Sequence, residues 1–337
     1  MAKIALDAMG SDEYPIPDVT GAVQAAREYG VEVILVGDEE KIKPVLDGLN
    51  PGGLAVSIVH APEMLTMEDK GVALALKARR PNAKNSMAVG IDLVKNGQAD
   101  AFVTAGNTGA ALATAYFRLG MIEGVDLPAL APVFPTATGS CVVLDIGANP
   151  DVKADNLRQF AIMGSIYAEK VRGVKNPKVG LLSNGEEEGK GNNLVREATP
   201  LLKNAGLNYF GSVEGKEVIG GKVDVAVTDG FTGNVMLKSS EAVAKLIVDK
   251  IREAIKSGGP LALLGGILVK PALGKIKKLL DPAEEGAAPL LGVNGLVFIG
   301  HGRSDAFAIK NAIRVAKNAV EANVLKAMRD GISERLN

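Results

Sequence analysis

The run Thr104-Ala-Gly-Asn-Thr-Gly-Ala110 follows the apolar stretch 101–103, so a strand leads straight into a small-residue turn whose backbone N–H groups can face an anion. The same arrangement recurs along the chain. Residues 3–8 lead into Met9-Gly-Ser-Asp12, 142–146 into Gly147-Ala-Asn-Pro150, 179–182 into Ser183-Asn-Gly185, and 223–227 into Thr228-Asp-Gly-Phe-Thr-Gly-Asn234. Glycine lets a backbone approach a ligand closely, and Asn, Asp and Thr either contact it or cap the next helix. The chemistry expected is that of an enzyme whose site is built from backbone amides and short polar side chains.

Such turns must be held by a scaffold, and the rhythm of the chain names one. Strand and helix patterns alternate almost to the end, which predicts an α/β fold: a doubly wound, mostly parallel sheet with helices on both faces. In such a sheet the turns gather at the carboxyl ends of the strands, where ligands bind. Strands are expected over 31–36 and 54–59. Helices are expected over 18–29, 39–46, 83–96, 107–119, 154–171, 192–204, 233–255 and 304–328. The chain is read as a single α/β domain over 1–337, or as two lobes sharing a cleft, with a helical hairpin inserted at 257–282. That insertion, LALLGGILVKPALGKIKKLL between Ser257-Gly-Gly-Pro260 and Asp281-Pro282, puts Leu261, Leu264, Leu268, Leu273, Ile276 and Leu280 on helical faces, with Lys270, Lys275, Lys277 and Lys278 interleaved. Pro271 is expected to kink or divide it. It fits a helical pair at a subunit interface or a basic amphipathic element resting on a membrane.

Composition bounds the partners. With 337 residues and 47% hydrophobic content the chain can bury a large core, and 38 basic against 39 acidic residues create no global field for nucleic acid. One cysteine excludes an internal disulfide framework and is compatible with a reducing compartment. The start, Met1-Ala-Lys-Ile-Ala-Leu-Asp7, lacks the long apolar core of a signal peptide, and the apolar stretch 261–269 is too short to span a bilayer.

Several segments together carry a family resemblance. Ile4-Ala-Leu-Asp-Ala-Met-Gly10, His60-Ala-Pro-Glu63, Thr104 to Ala110, Leu144-Asp-Ile-Gly-Ala-Asn149, Gly185-Glu-Glu-Glu-Gly-Lys-Gly-Asn192, Val227-Thr-Asp-Gly-Phe-Thr-Gly-Asn234 and Gly300-His-Gly302 resemble the phosphate acyltransferases of bacterial phospholipid synthesis. The likeness runs in consistent order from Lys3 to about Leu325. It implies transfer of a long acyl chain from an acyl-carrier-protein thioester to inorganic phosphate, giving acyl phosphate for a membrane glycerol-3-phosphate acyltransferase. A homodimer is implied too, with a fold similar to phosphotransacetylase and the isocitrate/isopropylmalate dehydrogenases. There is one departure. The family usually continues Gly-Gly-Asp-His after the methionine, whereas this chain has Gly10-Ser11-Asp12-Glu13.

Phosphate attack on a thioester needs an oriented dianion and donors for the developing oxyanion, and it needs no metal or other cofactor, because a thiolate already leaves readily. Pre-organised N–H donors supply about 3 to 4 kcal/mol each in acyl-transfer sites. Lys190, between Gly189 and Gly191, is the best-placed cation. With it, Asn234 and His301 form the expected catalytic set, His301 as an acid for the departing thiol. Asp7, Gly106, Asn107, Thr108, Gly109, Asp145, Asn149, Gly191, Asn192, Asp229 and Gly233 are the expected substrate and phosphate contacts. For Asn107 and Thr108 helix capping competes with ligand contact, and for Asn149 a turn-forming role does. His60 is equally ambiguous, and Cys141 is expected as a core thiol.

Carrier proteins are acidic, so Arg79, Arg80 and Lys84, with Lys77 nearby, are the expected docking cluster. Leu264, Leu268, Lys275 and Lys278 are the expected membrane contacts, for a cytoplasmic protein held peripherally at the inner face of the membrane. Two distant histidines and one cysteine cannot make an ordinary zinc site. The run 189–194 matches a dinucleotide fingerprint only in part, which leaves an NAD-dependent dehydrogenase and a non-catalytic membrane scaffold as the alternatives.

Overall fold

The computed structural model describes residues 1–187 and 189–336; Glu188 in the glycine-rich turn, the side chain of Lys277 in the hairpin, and Asn337 lie outside the described residues. The chain opens with β1 (Lys3–Asp7), α1 (Ile16–Tyr29), β2 (Glu32–Gly37), α2 (Glu39–Gly48), β3 (Val56–His60), α3 (Gly71–Arg79), α4 (Ser86–Lys95), β4 (Ala101–Thr104) and α5 (Thr108–Leu119). After β5 (Ala129–Leu130) it enters a second sheet through β6 (Val133–Thr136), β7 (Gly139–Leu144), α6 (Ala154–Arg172), β8 (Lys178–Leu182), α7 (Asn193–Lys203), β9 (Asn208–Val213), α8 (Gly215–Gly220) and β10 (Val225–Val227). Two long helices, α9 (Gly230–Ser257) and α10 (Gly259–Leu279), return it to β11 (Ala287–Leu291), β12 (Leu296–Gly300), α11 (Ala306–Glu321) and α12 (Val324–Leu336).

The fold is α/β and mostly parallel, as expected, but the strands divide between two sheets. Their orders are β3-β2-β1-β4-β12-β11-β5 and β6-β7-β10-β8-β9. Among the described residues only β11, against both its neighbours, and β6, against β7, run antiparallel. The division falls where the rhythm lapses. Strands β6 and β7 pair as a hairpin, with no helix between them to carry the chain back to the first sheet. Strands β1, β4 and β10 are apolar and buried along nearly their whole length, as parallel strands covered on both faces must be.

Helix starts follow the chemistry of their caps. The side chains of Asn85, Asn107, Asn192, Asp229 and Asp305 each accept a backbone N–H from the first turn of α4, α5, α7, α9 and α11, at 2.7–3.1 Å. Each such cap contributes about 1 kcal/mol. Most element ends fall within three residues of the expected ones.

Three expectations are corrected. The closing helix expected over 304–328 is two helices, because Asn323 takes a left-handed conformation, φ 51°, between α11 and α12. Pro271 does not divide the insertion: α10 runs through it and packs against α9, so the hairpin begins near Gly230 rather than at 257. Pro271 and Ile267 are both exposed, so the carbonyl left without an N–H partner can be hydrated. The apolar segment is also longer than 261–269. Residues Gly259–Ile276 have a mean hydropathy of 1.3 and are long and apolar enough to cross a membrane by length and composition, with none of that window buried.

A buried polar pair fills the position where this chain departs from the family pattern. Ser11 donates to Asp18 Oδ2 at 2.5 Å, while Asp18 Oδ1 has no protein donor among the described residues. Burial, partly offset by Ser11 and reinforced by the nearby Asp7 charge, raises the Asp18 pKa to about 7. An acid whose pKa is raised by folding holds its proton in the native state after the unfolded chain has lost it, so stability falls as pH rises from about 4 to about 7 and is level above. Asp18→Asn is therefore expected to gain stability over the parent progressively across that window. Denaturant midpoints at pH 4.5, 6 and 7.5 check this, and a difference independent of pH would refute it.

Candidate active site

The turns at the carboxyl ends of the first sheet lock together. Asp7, fully buried, accepts from Thr104 Oγ1 at 2.8 Å and from the Met9 amide at 3.1 Å, and Thr104 Oγ1 accepts the Gly106 amide at 3.0 Å. Gly10 presses on this second turn so closely that a Cβ there would lie 2.9 Å from Gly106 N. A third turn joins through the Asp12 amide, which donates to Gly302 O at 2.7 Å. Burial raises the Asp7 pKa against the hydrogen bonds of Ser86, Thr104 and Met9. Asp7, expected as a phosphate contact, thus has both oxygens committed to clamping the turns.

The second sheet repeats the plan. Asp145 is buried and gathers the amides of Leu130, Ala148 and Asn149 at 3.0, 3.2 and 2.7 Å, with Asn149 Nδ2 at 3.0 Å. Asn149 Nδ2 also donates to Pro128 O at 2.6 Å, so its side chain shapes the turn. Burial raises the Asp145 pKa although all four donors favour the charged form. The first turn of α9 lies on this loop. Gly230 N donates to Asn149 O at 2.9 Å, and a Cβ on Gly233 would sit 1.9 Å from Asp145 O. Asn234 comes next, its amide against Gly147, where an added Cβ would meet Asn234 Nδ2 at 3.4 Å. Asp229 caps α9 and also accepts from Thr232 Oγ1 at 2.8 Å.

Between the two groups of turns lies an apolar cavity of about 1500 Å³, bounded by residues of both sheets and of α9 and α10. Thr108 and His301 reach it from the first sheet, Ile146 and Leu237 from beside the Asp145 loop. At the N-terminus of α5 the Asn107 side chain is spent: it caps Ala110 and donates to Thr66 O at 2.9 Å and Asp69 O at 3.1 Å. The amides of Thr108 and Gly109 have no protein acceptor among the described residues and lie at the positive end of the helix. His301 keeps an exposed edge, yet the surrounding walls withdraw enough water to lower its pKa, with Glu241 opposing. It is therefore neutral at pH 7 and able to donate one N–H.

Lys190 lies exposed at the carboxyl end of β8, its amide donating to Glu187 O at 3.1 Å. Gly191, φ 97°, follows, and Asn192 caps α7. This turn is tied to β8 and α7 through Ser183 and Val195, one strand away from the Asp229 turn on β10. Arg79, Arg80 and Lys84 are exposed at the end of α3, which packs beside α5, while Lys77 is paired with Asp69 at 2.5 Å. Helix α3 itself escaped the sequence reading, since only its Leu74 and Ala78 are buried. His60 Nδ1 accepts the Glu39 amide at 3.2 Å, and Cys141 is buried, its thiol pKa pushed up to about 12. Leu264, Leu268, Lys275 and Lys278 are exposed on α10, Lys278 reaching Glu284 at 3.8 Å. The cavity walls on α9 are what sequence reasoning missed; exposed apolar residues such as Val243 and Ile247 were the available signal.

Solved structures place this arrangement among known folds. The chain superposes on the EutD phosphotransacetylase from Staphylococcus aureus with a TM-score of 0.60 at 18% identity, covering 95% of this chain and 94% of that one. A 4-hydroxythreonine-4-phosphate dehydrogenase from Salmonella typhimurium shares the fold at a TM-score of 0.55 and 12% identity, covering 94% of this chain and 99% of that one. The fold is thus that of the phosphotransacetylases and their dehydrogenase-like neighbours.

Sequence likeness is much closer. A family model described as "Fatty acid synthesis protein" matches residues 2–327. The phosphate acyltransferase of Acidobacterium capsulatum is 49% identical over 325 residues, covering 96% of this chain and 95% of the relative; that of Pelotomaculum thermopropionicum is 48% identical over 330 residues, covering 98% and 95%. The chain belongs to this fatty acid synthesis protein family, alongside the phosphate acyltransferases, and is an acyltransferase.

Proposed function

We propose that the protein transfers a long-chain acyl group from acyl-carrier-protein thioester to inorganic phosphate. The observation that carries this reading is the placement of Thr108, whose amide is open at the start of α5, on the lining of a large apolar cavity, in a chain of this family. Phosphate binds at turn amides with Lys190 as counter-charge. One phosphate oxygen attacks the thioester carbonyl and forms the new C–O bond. The carbonyl oxygen becomes anionic against N–H donors, then the C–S bond breaks. The sulfur leaves with the electron pair and takes up the proton that the phosphate hydroxyl gives up, with neutral His301, which lines the cavity, placed to accept that proton and pass it on. Products are acyl phosphate, to be consumed by a membrane glycerol-3-phosphate acyltransferase, and free carrier protein. Incubation with long-chain acyl-carrier protein and labelled phosphate is expected to give a hydroxylamine-labile acyl phosphate. Thioester loss without phosphate dependence would overturn the reading.

The acidic carrier protein docks on α3, where Arg79, Arg80 and Lys84 are exposed beside the α5 turn. Charge reversal at Arg79 and Arg80 is expected to raise KM for the carrier-protein substrate at low ionic strength, the effect fading with salt. An unchanged KM at low salt would move docking elsewhere.

The protein works as a cytoplasmic homodimer with peripheral membrane contact through α10. In-plane contact is favoured over crossing because α9, the partner helix that would have to cross with α10, carries charges throughout, among them Lys245, Asp249, Lys250, Arg252 and Glu253. Leu264 and Leu268 enter the headgroup boundary while lysines meet anionic lipid at about 1 kcal/mol each. Changing both leucines to glutamate is expected to abolish sedimentation with anionic vesicles and to leave soluble transfer and dimerisation intact. Dissociation of the dimer instead would make α10 a subunit interface.

A further inference from the structure

The cavity beside the catalytic turns is far larger than phosphate requires. Its volume of about 1500 Å³ exceeds the roughly 300–1,000 Å³ of ordinary small-molecule sites. Phe134, Leu237, Val243, Ile247, Leu263 and Ile267 supply apolar walls from β6, α9 and α10. Along α9 the lining extends from Leu237 to Ile255, about 27 Å at 1.5 Å per residue. That length exceeds the roughly 15 Å that one leaflet contributes to a bilayer core, which is the span of one lipid acyl chain. Helices α9 and α10 approach closely at one point, where a Cβ on Gly266 would fall 2.5 Å from Ile255 Cγ2, while the space stays partly open to solvent, Val243, Ile247 and Ile267 being exposed.

We infer that this space is the chamber for the substrate's acyl chain, which lies along α9 beneath α10 with its reactive carbonyl at Thr108 and His301. The inference deepens the proposed transfer reaction and rests on it for the identity of the chain. An acyl chain is favoured over a second copy of the protein because the chamber opens onto the catalytic turns and its outer wall is the chain's own α10. The most exposed apolar side chains of α10, Leu261 and Leu268, are absent from the lining and are left for other surfaces. Ala244, small and part of the lining, then stands as a determinant of chain length.

Ala244→Trp fills the middle of the chamber, and Val243→Trp serves as a second variant. With sixteen-carbon carrier-protein thioester, kcat/KM is expected to fall at least tenfold, while an eight-carbon thioester is used within threefold of the parent rate. Binding of cis-parinaric acid, a fluorescent long-chain fatty acid, is measured alongside and needs no catalysis; the parent is expected to bind it and the variants to lose it. Failure of the parent to bind parinaric acid, equal loss on both thioesters in folded variants, or conversion of a parent dimer to monomer by the substitutions would overturn the chamber. If the parent binds parinaric acid and the variants do not, yet no thioester is transferred to phosphate, the chamber stands and the transfer reaction falls.

Discussion

Gly233→Ala is expected to abolish transfer while the rest of the molecule still folds. A single added methyl would stand 1.9 Å from the Asp145 carbonyl oxygen, and both partners are backbone or backbone-bound, so neither can swing aside. The first turn of α9 must lift away from the Asp145 loop, carrying Asn234 off Gly147 and breaking the Gly230 N to Asn149 O bond. Loss of one pre-organised donor at an acyl-transfer site costs about 10²- to 10³-fold in rate, and overpacking adds about 1–3 kcal/mol of destabilisation. Rate under saturating phosphate, with the thermal midpoint measured in parallel, checks the prediction; retained phosphate affinity and rate would leave the turn purely structural. Gly106→Ala offers a calibrated contrast. Its nearest obstacle, at 2.5 Å, is the flexible Met87 Cε, so a milder loss is expected.

The second large effect is expected at Lys190. Changing it to alanine removes a positive charge from an exposed glycine-flanked turn in which the side chain contributes little packing. A hydrogen bond to a charged group is worth about 1.5–3 kcal/mol, so kcat/KM for phosphate should drop roughly ten- to a hundredfold with an unchanged thermal midpoint. Near-normal activity and phosphate dependence would take Lys190 off the catalytic list.

The strand-turn-helix units were legible because each carries its own local chemistry: an apolar β run, a glycine, and an Asn or Asp positioned to cap the helix. Asn107, Asn192 and Asp229 are the clearest cases, and each does cap the helix that follows. Assignment of those same residues to ligand contact was less legible, because one carboxamide serves a helix amide and a phosphate equally well until its partners are seen. Asp7 and Asp145 show the same limit. A carboxylate at the end of a strand discloses nothing of the turns that converge on it from remote parts of the chain. The split into two sheets was hidden for a similar reason, since the run 142–146 marks β7 as a strand but its antiparallel partner β6, broken by Pro135, bears no distinctive run. The chamber was invisible because its walls come from α9, α10 and β6, whose apolar residues read individually as ordinary helix and strand faces.

The placement of β12 between β4 and β11 has a consequence for how the chain matures. Strand β4 pairs with β1 on one side and finds its other neighbour only in residues Leu296–Gly300, after the entire second sheet and the α9–α10 pair have been synthesised. On a ribosome the second sheet therefore has all its strands before the first one does, and the first waits with the edge of β4 unpaired. A nascent chain halted between α10 and β12 would present that edge to other chains, so aggregation during synthesis should be governed by the last forty-odd residues rather than by the first hundred.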